Sequence, residues 1–206
     1  MKKIGLIFFL LFLIPSSVNA QENLTAKEIL AKTSSLISSS KGVNAAFSIS
    51  SADSKGSGIL KAQNGKFMME LPGAIVWYNG KEMYSYNANT EETTLINPSP
   101  QELAETNPLL YIKNLGDEYN ISFSKDKEYG KYVIDLIPKS KKSEMKNMTV
   151  YIKKGDFTPD KLIATPISGN MFTINIISFK TGINMPGDTF EYPKSKFKGI
   201  ELIDLR

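Results

Sequence analysis

The sequence predicts an α+β protein that is mainly β: one curled antiparallel sheet or barrel of roughly ten to twelve strands, with one or two helices against it. Three observations carry this. Apolar residues recur at helical spacing only near the start of the chain and in a short central stretch. From Gly42 onward the period is two, the mark of half-buried strands. The strand-like runs follow one another at hairpin spacing, which favours up-and-down connectivity. So many strands cannot stay flat, and a curled sheet has a concave side.

The first twenty residues read as an address. Lys2 and Lys3 precede an apolar run from Ile4 to Ile14, and Val18-Asn19-Ala20 is a small-residue cleavage site. This is the pattern of a signal peptide, and the run is short of the ~20 residues a transmembrane helix needs. Residue 21 is Gln21 and not cysteine, so the mature chain is not expected to be a lipoprotein itself. The expected mature chain is a single domain over 21–206, outside the cytoplasm, with its formal charge lowered from +4 to +2 by loss of Lys2 and Lys3.

Thr25-Ala26-Lys27-Glu28 is a capping box, and Ile29, Leu30, Thr33, Leu36 and Ile37 continue it at helical spacing. The helix should fade in Ser38-Ser39-Ser40 and end before Gly42. Strands are then expected at 43–50, 58–62, 66–71, 74–78, 82–87 and 92–96. Asn79-Gly80 fits a two-residue hairpin. That turn places Ile75 and Trp77 on one face with Tyr84 and Tyr86, and Val76, Tyr78 and Met83 on the other. Ser99-Pro100-Gln101-Glu102 is a second capping box, with proline at the first helical position. Asn107-Pro108 restarts the chain into Leu109-Leu110-Tyr111-Ile112, making an apolar helical insertion among strands. Further strands are expected at 119–124, 131–137, 146–153, 161–167 and 170–179, and around Phe190–Tyr192. Candidate inward residues alternate with more polar ones: Phe67, Met69 and Leu71; Ile134 and Leu136; Phe172, Ile174 and Ile176.

Composition narrows the chemistry. The chain has no cysteine and no histidine. Disulfides, thiol catalysis and cysteine-bound metal are therefore excluded, and the commonest general base is missing. Arg206 is the only arginine, and arginine is the preferred reader of phosphates and bases, so no nucleic-acid partner is expected. Ser38-Ser39-Ser40-Lys41 and Lys180-Thr181-Gly182 match fragments of penicillin-recognising enzymes. Four other S-x-x-K matches occur in this lysine-rich chain, and no Ser-Asp-Asn accompanies them. Glu91-Glu92 and Asp117-Glu118 read as solvated turn residues and not as a catalytic pair. Neither catalytic residues, metal ligands nor cofactor are expected. Lys139, Lys141, Lys142 and Lys146 fall in one hairpin connection, a solvated loop or a docking point for an anionic membrane surface.

Read in order, several stretches resemble the family of outer-membrane lipoprotein carriers, the LolA family. The opening helix and first strand through Phe47 fit its start. Gly58-Ile59-Leu60-Lys61, followed by Phe67 and Met69, looks like its second and third strands. Ile75-Val76-Trp77-Tyr78-Asn79-Gly80-Lys81-Glu82-Met83-Tyr84-Ser85-Tyr86-Asn87 is similar to its most recognisable stretch. Asn107-Pro108-Leu109-Leu110, Ile134-Asp135-Leu136-Ile137-Pro138, Phe190-Glu191-Tyr192-Pro193 and Ile203-Asp204-Leu205-Arg206 match later patterns.

The resemblance implies a half-open curved antiparallel barrel with a short helical lid over an apolar cavity. It implies a periplasmic carrier, without cofactor, that shields the acyl chains of lipoproteins or another lipid between inner and outer membranes. The implied partners are that acylated cargo, an inner-membrane lipoprotein-releasing transporter complex and an outer-membrane acceptor, with the carrier a monomer. Cavity candidates are Phe67, Met69, Leu71, Ile75, Trp77, Tyr84, Tyr86, Ile134, Leu136, Phe172, Ile174 and Ile176. Lid candidates are Leu103, Pro108, Leu109, Leu110 and Ile112. Where the family often has an Arg-Pro pair that latches the lid, this chain reads Ala62-Gln63-Asn64-Gly65, so that latch does not carry over. The same architecture also serves envelope lipid-sensing and protein-interaction domains, which is the alternative reading.

Overall fold

The computed structural model describes residues 24–38, 42–99, 102–103, 106, 119–141, 143 and 145–206. The expectations for residues 1–20, for Asn107 to Ile112 and for Asp117-Glu118 lie outside the described residues. Among the described residues no helix is long and apolar enough to cross a membrane.

The chain opens with α1 (Ala26–Ser38). Its capping box forms as expected: the Glu28 amide donates to Thr25 Oγ1 at 3.2 Å, and the Thr25 amide donates to Glu28 Oε2 at 2.8 Å. These bonds from Thr25 hold the Glu28 carboxyl below its ordinary range. Ala26, Ile29, Leu30, Thr33 and Ile37 are buried, one stripe at three- and four-residue spacing.

Six strands follow as a meander: β1 (Gly42–Ser50), β2 (Lys55–Gln63), β3 (Lys66–Leu71), β4 (Ala74–Tyr78), β5 (Met83–Asn87) and β6 (Glu92–Ile96). The second capping box also forms, with the Glu102 amide on Ser99 Oγ and the Ser99 amide on Glu102 Oε2, and Glu102, Leu103 and Thr106 are helical. A second meander comprises β7 (Tyr119–Phe123), β8 (Lys131–Pro138), β9 (Met145–Lys153), β10 (Pro159–Pro166) and β11 (Phe172–Ile183). Pairing of β1 with β11 joins the two into one sheet of order β12-β6-β5-β4-β3-β2-β1-β11-β10-β9-β8-β7. The two outermost strands, β7 and β12, do not pair, so the barrel stays open. At the seam, Phe47 lies opposite Gly58. A Cβ at Gly58 would sit 2.5 Å from the Glu70 carbonyl and 2.6 Å from the Phe47 ring, so only glycine admits this crossing.

Two expectations are corrected. Phe190–Tyr192 is not a strand: Gly187–Phe190 is a 3-10 turn, and the chain beyond it bends at Glu191. The final strand is instead β12 (Glu201–Asp204), which lies parallel to β6. The hairpin after β4 turns one residue later than expected. Asn79 pairs with Glu82 across Gly80-Lys81, because the Asn79 side chain accepts the Lys81 and Glu82 amides and Gly80 takes a φ of 100°. The face parity survives this shift, with Trp77 opposite Tyr84 and Ile75 opposite Tyr86.

Both faces of the sheet carry an apolar cluster. The larger unites α1 with residues as far apart as Leu60 and Phe67 in the first meander and Ile134 and Val150 in the second. A helix of 13 residues is too short to cover both arms, so residues sealed on each of them, Phe67 on one and Ile134 on the other, are buried where the sheet curls toward itself, and this face is concave. The smaller cluster, on the convex face, is Met68, Trp77, Tyr84, Leu95 and Phe190, with Ile75, Tyr86, Met185, Tyr192 and Phe197 against it. The C-terminal segment covers this second cluster and ends in two ion pairs. Arg206 Nη1 meets Glu82 Oε1 at 2.6 Å and Arg206 Nη2 meets Asp204 Oδ2 at 2.6 Å. Hydrogen bonds from Arg206 hold the Asp204 carboxyl down at about 2.

Candidate functional site

The concave face is assembled from alternate residues of β1 to β11, as the pleat requires. Within it two populations differ. Phe67, Leu60, Ile134, Leu136 and Ile152 are sealed, at 2% exposure or less. Leu71, Tyr78, Phe172 and Ile176 are only partly buried and pack against that sealed set. Met69, Met83 and Met148 add flexible, polarizable side chains that adapt to irregular partners. α1 packs chiefly on β7 and β8, at one end of the sheet. There Thr33 Oγ1 donates to the Phe157 carbonyl at 2.9 Å, and Lys32 Nζ stands 5.0 Å from the Phe157 ring centroid. Phe157 has a φ of 58°, a strained value for an aromatic residue, and its carbonyl is what anchors the helix.

Of the twelve cavity candidates from sequence, eight lie on this face: Phe67, Met69, Leu71, Ile134, Leu136, Phe172, Ile174 and Ile176. The other four, Ile75, Trp77, Tyr84 and Tyr86, lie on the opposite face and are not brought together with them. The C-terminal segment packs on three of them, and Ile75 is partly buried against the same cluster. Trp77 meets Tyr192 and Phe197 edge-on at 5.4 and 5.5 Å, Tyr84 stacks on Tyr192 at 4.8 Å, and Tyr86 meets Phe197 at 4.7 Å. Burial, with Glu82 beside it, pushes the Tyr84 hydroxyl above its ordinary range. In their place β4 and β5 give the concave face Val76, Tyr78 and Met83. The signal for this was in the pairing: Tyr78 lies directly opposite Phe67, and Val76 opposite Met69. Leu103 is half-buried against the same cluster. Pro108, Leu109, Leu110 and Ile112 lie outside the described residues.

Among the described residues Thr33 and Thr93 are the buried polar side chains, and both are hydrogen-bonded, Thr93 to the Tyr192 hydroxyl at 3.1 Å. No group of three carboxylates, histidines or cysteines stands close enough to hold a metal among the described residues. The shifted acids sit in caps, turns and ion pairs: Glu28, Glu102, Asp156, Glu128 beside Lys131, and Asp204 beside Arg206. What the concave face offers chemically is apolar contact area. A cleft of about 590 Å³ opens at its edge beside the start of α1, where Leu24, Phe123 and Val133 meet Lys127, Lys131 and Lys154.

The sequence model of the family described as outer membrane lipoprotein carrier protein LolA matches residues 16–165. Comparison with curated proteins gave no match. Among solved structures, an uncharacterized conserved protein from Thermus thermophilus superposes with a TM-score of 0.60 at 14% identity, over 87% of this chain and 98% of that one. A DUF1329 family protein from Desulfovibrio piger gives 0.49 at 12% identity, over 84% and 98%. A LolA superfamily protein from Nitrosomonas europaea gives 0.42 at 11% identity, over 82% and 98%. At such identities the first of these is a likeness of fold alone.

Proposed function

Because this chain belongs to the outer membrane lipoprotein carrier (LolA) family, we propose that it binds the acyl chains of lipoproteins, or of another lipid, on its concave face and carries them through the periplasm from inner to outer membrane. The observation that carries this reading is the apolar concave face. Its sealed residues are bordered on the same face by partly buried Leu71, Tyr78, Phe172 and Ile176, with α1 packed chiefly at the β7–β8 end.

The energetics fit such a task. Burying acyl chain contributes ~0.8 kcal/mol per CH₂, so exposing three long chains costs on the order of 30 kcal/mol. A soluble intermediary has to cover much of that surface and still release it. An adaptable, methionine-bearing lining serves both needs better than a rigid one. In this reading residues 1–20 are removed on export and residues 21–206 act as one monomeric domain. It is a binding protein and not an enzyme, and it needs no cofactor. The donor is an inner-membrane lipoprotein-releasing complex and the acceptor lies in the outer membrane. Leu103, half-buried against the concave cluster, is the described member of the expected lid.

The test is native mass spectrometry of protein exported by its own host, followed by lipid extraction. Co-purified acylated lipoprotein is the expected result. Bound glycerophospholipid would redirect the reading to a broader lipid carrier or sensor. A protein that is empty, and that takes no lipoprotein from inner-membrane vesicles, would contradict it.

A further inference from the structure

The lysine-rich connection singled out in the sequence has a neighbour that the sequence did not reveal. β8 and β9 are joined by residues 139–144, and β10 and β11 by residues 167–171. Antiparallel order puts both connections at the same end of the sheet. Met145, at the start of β9, lies opposite Pro166 at the end of β10. With strands about 4.8 Å apart, the two connections are adjacent.

The β10–β11 connection is a tight, apolar tip. The Gly169 amide donates to the Pro166 carbonyl at 3.0 Å, the Met171 amide donates to the Gly169 carbonyl at 2.9 Å, and Gly169 takes a φ of 90°. This turn holds two large apolar side chains out into solvent: Ile167 is 65% exposed and Met171 54%. Single exposed apolar residues are ordinary, but a pair on a braced tip is not. Positive charge predominates around the tip. No aspartate or glutamate occurs from Lys161 to Gly187. The β8–β9 connection with the first two residues of β9 runs Lys139-Ser140-Lys141-Lys142-Ser143-Glu144-Met145-Lys146, four lysines to one glutamate, and Lys139, Lys141 and Lys146 are exposed. On the other side the β1–β2 connection carries Asp53, which Lys55 offsets.

We propose that this end of the sheet docks on an anionic lipid bilayer, with Ile167 and Met171 entering the headgroup region and Lys139, Lys141 and Lys146 resting on the lipid phosphates. An apolar wedge flanked by cations is the arrangement that interfacial anchors use. Each half is weak by itself, so the docking is reversible. The surface lies at the end of the sheet, where Met171 directly precedes Phe172 of the concave face, and it orients the whole molecule to a membrane whether or not cargo is bound.

The test uses cargo-free protein and vesicles of phosphatidylcholine with or without phosphatidylglycerol. Co-sedimentation is expected with the mixed vesicles, is lost in high salt, and is far weaker on pure phosphatidylcholine. Replacing each of Lys139, Lys141 and Lys146 by Gln should weaken binding about fivefold per lysine. The pair Ile167→Asp and Met171→Asp should weaken it at least as much as the lysine set. These positions are exposed, so an unchanged melting temperature confirms that the variants fold. The chain has no cysteine, so Met171→Cys carries a single environment-sensitive dye whose emission should shift to the blue on mixed vesicles. Equal binding to neutral vesicles, binding that survives the Asp pair, or a dye that stays in water overturns the proposal. None of these readouts depends on cargo, so failure here leaves the carrier reading standing, and failure of that reading leaves this one standing.

Discussion

Phe67→Ala is expected to lower the unfolding free energy by about 3–5 kcal/mol, the cost of an emptied aromatic site in a packed interior. Phe67 has no solvent exposure, and its ring lies 5.5 Å from that of Tyr78 on the next strand. It belongs to the sealed floor of the concave face and not to the surface that meets a ligand. For a chain of this size each kcal/mol moves the melting temperature by about 2–4 °C, so a fall of roughly 10 °C is expected. Trp77 makes the measurement convenient, because it is the only tryptophan and its side chain sits in the convex cluster, on the other face of the sheet from the substitution. Its emission reports unfolding of the whole sheet. A loss below about 1 kcal/mol would mean that this face is not packed as described.

Ile176→Glu is expected to abolish cargo loading while leaving the fold in place. Ile176 is half-buried on the concave face, opposite Phe47, and its neighbour Ile177 points to the other side and is 66% exposed. A carboxylate pressed against acyl chain costs about 3 kcal/mol, roughly a hundredfold in affinity. Ile177→Glu adds the same charge one residue along and should load as wild type. Desolvation favours the neutral acid, so the new carboxyl titrates above its ordinary range, and loading should recover as the pH falls toward that raised value. Acyl mass carried per protein is the readout. Equal loading by the two variants would remove the concave face as the binding site.

Much of the architecture was legible because it rests on local chemistry. Both capping boxes declared themselves through Thr25 and Glu28, and through Ser99 and Glu102. The strands were legible from alternation, as in Phe67-Met68-Met69, whose alternate residues go to opposite clusters. What sequence did not supply was non-local. β12 is four residues long, carries an acid at each end and exists because β6 offers it an edge. Phe190-Glu191-Tyr192 alternates like a strand, yet its aromatic residues serve to cover Trp77 and Tyr84. That covering also explains the divided site. Parity sorts Ile75, Trp77, Tyr84 and Tyr86 onto one face correctly, but parity cannot say which face curls inward. The assignment depends on which set α1 meets and which the C-terminal segment meets, and those contacts are made across the whole length of the chain.

The central claim is that acyl chains lie on the concave face. It is tested most directly by loading the protein with a lipid that carries a photoreactive group in its acyl chain, irradiating, and mapping the cross-linked residues by mass spectrometry. The account predicts labels on Leu71, Tyr78, Phe172 and Ile176 and on the methionines beside them. Labels on Trp77, Tyr84 or Ile177, or labels spread evenly over both faces, would contradict it.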